Sequence, residues 1–174
     1  MARRPPVISF VGRSNSGKTT FLEKLIPVLK ELGVRVATIK HDVHDFEIDR
    51  EGKDTYRHKK AGARITMIAS PKKLALVEDL DSELPLETIV TRYVRNIDLV
   101  MTEGYKKEQM PKIEVYAFRE DVPPLALDDP NVLAIVADVP LDAHVPVFSR
   151  DNPAPVADFI IEKFRLKTGQ GRWE

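Results

Sequence analysis

The chain has 174 residues, 27 basic and 27 acidic side chains, 43% hydrophobic residues and no cysteine. That length fits one domain, 1–174, around a single core, and no window holds the ~20 apolar residues that a membrane span needs. Zero net charge argues against the broad positive field of a general nucleic-acid binder, and a chain without cysteine has no disulfide framework, thiolate zinc site or thiol nucleophile.

Val7-Ile8-Ser9-Phe10-Val11 is a β-prone apolar run ending at Gly12. It reads as a strand covered on both faces, and it is too brief for a signal-peptide core, so a cytoplasmic protein is expected. From Lys18, apolar residues at Phe21, Leu22, Leu25, Ile26, Leu29 and Leu32 follow a helical spacing that closes at Gly33 as the C′ residue. Pro27 predicts a kink there, or a break into two short helices, because proline removes one backbone bond and clashes with the preceding turn. Val34 to Ile39 reads as a second strand, completing a βαβ unit.

Residues 40–64 differ in texture: 13 of these 25 positions are charged. Acids come first (Asp42, Asp45, Glu47, Asp49, Glu51) and bases second (Lys53, Arg57, Lys59, Lys60, Arg64). The segment reads either as a solvated loop followed by a surface helix, or as a carrier of Arg57 and His58 toward a second anionic group. Ile65 to Ala69 and Leu74 to Val77 flank Ser70-Pro71-Lys72-Lys73 and predict a β-hairpin extension over 64–78. Pro85 opens a helix with Leu86, Ile89, Val90, Tyr93 and Val94 on its apolar face. Further strands are expected at Ile97 to Met101, Ile113 to Phe118 and Val132 to Ala137, with a proline-rich connection from Val122 to Pro130. A last helix begins near Pro153 and Pro155 and turns Val156, Phe159, Ile160 and Phe164 inward. The tail from Gly169 to Glu174 is expected to fray. This alternation implies an α/β fold, a three-layer sandwich around a mainly parallel sheet with the hairpin as an antiparallel addition.

Gly12-Arg13-Ser14-Asn15-Ser16-Gly17-Lys18-Thr19 matches G-x-x-x-x-G-K-[ST] and lies between an apolar strand and a helix, where a phosphate loop belongs. Gly12 and Gly17 let the backbone curl so that successive N–H groups point inward, at the positive end of the helix dipole. Lys18 carries a compact charge to the β- and γ-phosphates, and the Thr19 hydroxyl can take one position around Mg²⁺. Thr20 supports the helix start. Arg13 either adds charge near the phosphates or is solvated.

In an open parallel sheet, ligands bind beyond the carboxyl ends of the strands, and that rule sorts the acids. Asp98 begins its strand and reads as a turn or capping residue. Glu103 ends the same strand and is the chosen acid, holding Mg²⁺ through water or orienting a nucleophile. Asp42, three residues past Ile39, is a second acid for the metal. Asp138 follows the strand ending at Ala137, where it either accepts from the N1–H and 2-amino group of guanine or caps a turn. The N-K-x-D sequence is absent.

The phosphate loop together with Ile39-Lys40-His41-Asp42-Val43-His44-Asp45, Gly52-Lys53-Asp54-Thr55, Ala61-Gly62-Ala63 and Thr102-Glu103-Gly104-Tyr105-Lys106 closely resembles the molybdopterin-guanine dinucleotide biosynthesis protein B family. The resemblance covers Val7 to about Phe118 and continues more weakly into the C-terminal strand and helix. It implies a P-loop NTPase fold and a cytoplasmic GTP-binding accessory protein of molybdenum cofactor biosynthesis with weak GTPase activity. The implied partners are molybdopterin or its guanine dinucleotide, the guanylyltransferase, the molybdenum-insertion protein and molybdoenzymes awaiting cofactor. It also implies a homodimer joined through extended sheet, to which the hairpin would contribute. Carried over, Gly12 to Thr19 bind phosphates and Mg²⁺, Glu103 takes the second acidic role, and Asp42 and Lys40 line the same pocket. A small-molecule kinase transferring the γ-phosphate and a plain ATPase adaptor are the rival readings.

Overall fold

Val7–Val11 forms β1, a five-residue strand whose last four residues are all buried. The chain then turns through Gly12 into α1, Lys18–Glu31, which buries Phe21, Leu22, Leu25 and Leu29 along one stripe. The helix runs across Pro27 without a break. Pro27 and Glu23, the residue whose carbonyl loses its N–H partner, are both exposed, so the freed carbonyl lies on the solvent side and the expected division into two helices does not occur. At the other end Gly33, at φ 81°, donates to the Lys30 carbonyl (2.9 Å) and Val34 donates to Leu29 (2.9 Å), the paired bonds of a Schellman ending.

The computed structural model describes residues 4–41, 46–118, 122–125 and 128–169. Two compact units emerge, one from Met1–His41 with Tyr93–Glu174 and the other from Asp42–Arg92. In the first, β2 (Val36–Lys40), β5 (Leu99–Glu103), β6 (Lys112–Tyr116), β7 (Val132–Ala137) and β8 (Val147–Ser149) join β1 in one sheet, with α4 at Ala154–Phe164. Strand order is β2-β5-β1-β6-β7-β8, and every pairing is parallel. The α/β fold expected from the sequence is therefore present. The strand Val147–Ser149 is an addition that the sequence reading passed over.

One sheet face packs on the two helices. Ile8, Phe10, Leu99, Met101, Ile113, Val115, Ala134 and Val136 meet the apolar residues of α1 and Val156, Ala157 and Ile160 of α4 in one buried cluster. The opposite face of β6 and β7 is covered by Leu141, Ala143, Val145 and Val147. Coverage on both sides explains why these strands read as continuous apolar runs. At the end of the sheet away from the phosphate loop, Arg35 grips Asp98 with two side-chain bonds (2.9 and 3.0 Å) and one from its backbone N–H (3.0 Å). Asp98 thus has a structural partner at the strand's beginning.

The second unit holds α2 (Asp54–Lys60), the strands β3 (Ile65–Ser70) and β4 (Lys73–Glu78), and α3 (Leu86–Tyr93), whose last residue is assigned to the first unit. The antiparallel hairpin β3–β4 is a two-stranded sheet of its own, not an extra strand pair on the parallel sheet. Ser70 Oγ accepts from the N–H groups of Lys72 (3.3 Å) and Lys73 (3.0 Å), which braces the turn around Pro71. α2 buries no residue.

Candidate phosphate-binding site

A wholly parallel sheet places every strand's carboxyl end on one edge, and the sequence candidates collect there. Gly12 follows β1, Lys40 ends β2, Glu103 ends β5 and Asp138 follows β7. Lys40 stands directly beside Glu103 in the β2–β5 register, and Phe10 stands beside Glu103 in the β1–β5 register. Asp42 and His44 lie outside the described residues.

The loop needs its glycines. A Cβ on Gly12, at φ 148°, would run into the Val115 carbonyl and approach Ser16 Oγ to 2.6 Å. Gly17, at φ 83° and ψ 21°, is left-handed and starts α1, its carbonyl accepting from Phe21 N–H at 2.9 Å. Asn15 is also left-handed (φ 61°). Arg13, Ser14, Asn15, Thr19 and Thr20 are exposed, while Ser16 is buried beneath the loop with no hydrogen-bond partner for Oγ among the described residues. Left-handed turns at both ends of an exposed stretch, followed at once by a helix start, form the cup of amides that a polyanion fits.

Lys18 reaches back across the cup, donating to the carbonyls of Arg13 (2.9 Å) and Gly12 (3.4 Å). Desolvation lowers its pKa below the usual 10.5; Glu103 pulls it upward, and Lys106 and Lys40 push it down. Several cations therefore converge on one place, a field that favours an incoming anion. On the same flank, Thr19 Oγ1 lies 3.1 Å from both carboxylate oxygens of Glu103. A helix-start hydroxyl and a carboxylate in contact at the mouth of the cup are oxygen donors of the kind that Mg²⁺ takes alongside phosphate oxygens and water.

Glu103 is held by strained backbone. Gly104 (φ 110°) and Tyr105 (φ 52°) both have positive φ. Ser9 Oγ donates to the Gly104 carbonyl at 2.6 Å, His41 N–H donates to the Glu103 carbonyl at 2.9 Å, and the His41 and Tyr105 rings lie 4.5 Å apart. Asp138 is exposed and accepts a long bond from Phe118 N–H (3.4 Å) at the β6 end.

The family model described as molybdopterin guanine dinucleotide synthesis protein B matches residues 7–138. The chain belongs to that family. Among its relatives, the molybdopterin-guanine dinucleotide biosynthesis adapter protein of Escherichia coli (strain K12) is 36% identical over 170 residues, covering 94% of this chain and 96% of that protein. The protein of the same description from Haemophilus influenzae (strain ATCC 51907 / DSM 11121 / KW20 / Rd) is 36% identical over 161 residues, 92% of this chain and 90% of its own. The crystal structure of Bacillus subtilis MobB superposes with a TM-score of 0.73 at 30% identity, covering 93% of this chain and 98% of that one.

Against this MobB framework the sequence candidates fall into three groups. The loop residues Gly12 to Thr20, Lys40 and Glu103 share one part of the sheet edge. Asp138 occupies the far side of β1, beyond β6. Arg57 and His58 sit on the exposed α2 of the second unit. One charged residue at the edge escaped the sequence reading. Arg150 follows β8; its backbone N–H donates to the Ala137 carbonyl (3.0 Å), and its Nη2 donates to the Tyr116 carbonyl (2.6 Å). The available signal was Val147-Phe148-Ser149 behind Pro146, a run so short that its strand character shows only through pairing with β7.

Proposed function

We propose that this MobB-family chain is an adapter in molybdopterin-guanine dinucleotide biosynthesis that binds GTP with Mg²⁺ and hydrolyses it slowly. The observation that carries the reading is the contact of Thr19 Oγ1 with both oxygens of Glu103, beside the lowered-pKa Lys18 and the left-handed Gly17. Lys18 serves the β- and γ-phosphates, Thr19 and Glu103 are the residues to hold Mg²⁺, and Lys40 adds positive field at the same rim. Bound Mg²⁺ would neutralise charge on the phosphates. Glu103 takes the second acidic role and is assigned to orient the attacking water, and Asp42 is assigned as a second acid for the metal. Asp138 is assigned to the guanine edge.

An adapter needs surfaces for other proteins. The hairpin exposes Met67 (56%) and Leu74 (68%), and the register Ala69↔Leu74 puts these two on one face with Ile65 and Leu76. That apolar face supports a homodimer joined through β3 and β4, with molybdopterin, the guanylyltransferase and the molybdenum-insertion protein as the other partners of a cytoplasmic pathway.

The deciding experiment is calorimetric titration of the folded protein with GTP and with ATP in the presence of Mg²⁺, followed by phosphate release with and without candidate acceptors. GTP binding with slow, acceptor-independent turnover is expected. A burst that depends on an added metabolite would transfer the assignment to a kinase, and preference for ATP would leave an ATPase adaptor.

A further inference from the structure

We propose that Arg150 is a nucleotide-binding residue, the cation for the α-phosphate on the flank of the loop opposite Lys18. The inference deepens the nucleotide reading above and rests on it.

Strand order gives the bound nucleotide a direction. Thr19 meets Glu103 on the β5 side of β1, which makes that side the metal and γ-phosphate end. The nucleoside end then runs the other way, over the carboxyl ends of β6, β7 and β8. Lys18, Lys40 and Lys106 belong electrostatically to the first side, as their mutual influence on Lys18 records. On the second side Arg150 borders the loop itself: its Nη1 would be 3.1 Å, and its Cζ 3.7 Å, from a Cβ placed on Gly17. Since Gly17 has no side chain, the guanidinium reaches the loop backbone at the start of α1.

The guanidinium is held in place, yet the protein does not use all of its donors. Nη2 is fixed by the Tyr116 carbonyl at the end of β6, and the backbone N–H by Ala137 at the end of β7. Nε is buried and has no hydrogen-bond partner among the described residues. A buried N–H left without an acceptor is destabilising, and on a permanently charged group the penalty is larger. An oxyanion arriving beside Gly17 meets Nη1 and supplies the guanidinium's counter-charge. Arg150 thus pre-organises a donor where the phosphate chain turns toward the nucleoside, so little side-chain entropy remains to be lost on binding.

The experiment is titration of full-length wild type, Arg150→Met and Arg150→Lys with GTP·Mg²⁺ and GDP·Mg²⁺, with thermal melting of each ligand-free protein to verify folding. Arg150→Met should weaken GTP and GDP by the same factor, about ten- to a hundredfold for one charge-assisted bond. Arg150→Lys should recover part of that loss, because it keeps the charge but not the fork. A folded Arg150→Met that binds GTP like wild type overturns the proposal. So does a loss confined to GTP, which would place Arg150 at the γ-phosphate, and so does an Arg150→Lys no better than Arg150→Met. A folded wild type that binds no nucleotide overturns the nucleotide reading and this inference together.

Discussion

Replacing Lys18 with alanine separates ligand binding from folding. The ammonium is engaged by two loop carbonyls and sits among Lys40, Lys106 and Glu103. A unit charge about 4 Å from a phosphate oxygen is worth roughly 4 kcal/mol at an effective dielectric constant of about 20. Loss of the ammonium's own water and carbonyl bonds offsets part of that, leaving about 2–4 kcal/mol, a weakening of about thirtyfold to a thousandfold. The fold should not suffer. The folded-state pKa of Lys18 lies below 10.5, so the folded chain disfavours the charged form. Between that lowered value and 10.5 the unfolded chain binds more protons, and this group's contribution to stability rises with pH across the window. The alanine variant should lose that rise and melt no lower than wild type near neutral pH. Calorimetry with GTP·Mg²⁺ and thermal melting with and without ligand measure both halves. If the variant retains the wild-type affinity, the cup between Gly12 and Thr19 is not the phosphate site.

Glu103→Gln should leave GTP affinity within about threefold and slow phosphate release in steady-state assays about tenfold or more; unchanged hydrolysis would remove the water-side role of Glu103. Gly12→Ala should lower the melting temperature by several degrees or prevent folding, since the added carbon meets the Val115 carbonyl and Ser16 Oγ. Asp129→Asn should cost about 3–5 kcal/mol in denaturant unfolding, because Lys112, with a side chain only 3% exposed, loses its counter-charge and keeps only neutral acceptors. The wild-type carboxylate has its pKa held below 3.8; burial opposes that, but the bonds from Lys112 and Asn131 outweigh it. Its stabilisation is therefore present above 3.8 and lost as pH falls through the lowered value. Met67→Glu should shift the protein toward monomer in sedimentation, and an unshifted dimer would take the hairpin out of the interface.

Legibility followed the range of the interactions. The phosphate loop was readable because its chemistry is local: glycines at turn positions, then lysine and threonine at fixed offsets. The buried strands were readable because two-sided coverage leaves continuous apolar runs, and Val132–Ala137 formed with the bounds its sequence suggests. Of the two outcomes expected at Pro27, the break did not occur, because the cost of a proline depends on where the orphaned carbonyl points, a tertiary fact. The hairpin's strands and turn were legible from two short apolar runs flanking Ser70-Pro71-Lys72-Lys73, but its separation from the parallel sheet was not, since pairing partners are chosen at long range. Arg150 was hidden for the same reason: its significance comes from Gly17, Tyr116 and Ala137, all distant in sequence.

The strain beside Glu103 links the acid to the end of β2 at His41. Two successive positive-φ residues are not a resting conformation for a chain that includes a tyrosine, so the surroundings must impose them. Ser9 from β1 fixes the Gly104 carbonyl, and the His41 ring from the end of β2 lies tilted against Tyr105. A Cβ on Gly104 would come within 3.1 Å of His41 Cβ, so the two strand ends can approach this closely only with glycine at that position. Any movement of β2's end is therefore felt at Glu103 through the His41–Glu103 backbone bond. Gly104→Ala should accordingly impair phosphate release more than it impairs GTP affinity, because it displaces Glu103 while leaving Gly12 to Thr19 intact. Equal losses in both, measured by titration and single-turnover hydrolysis, would mean that the strand ends support the loop and not the acid.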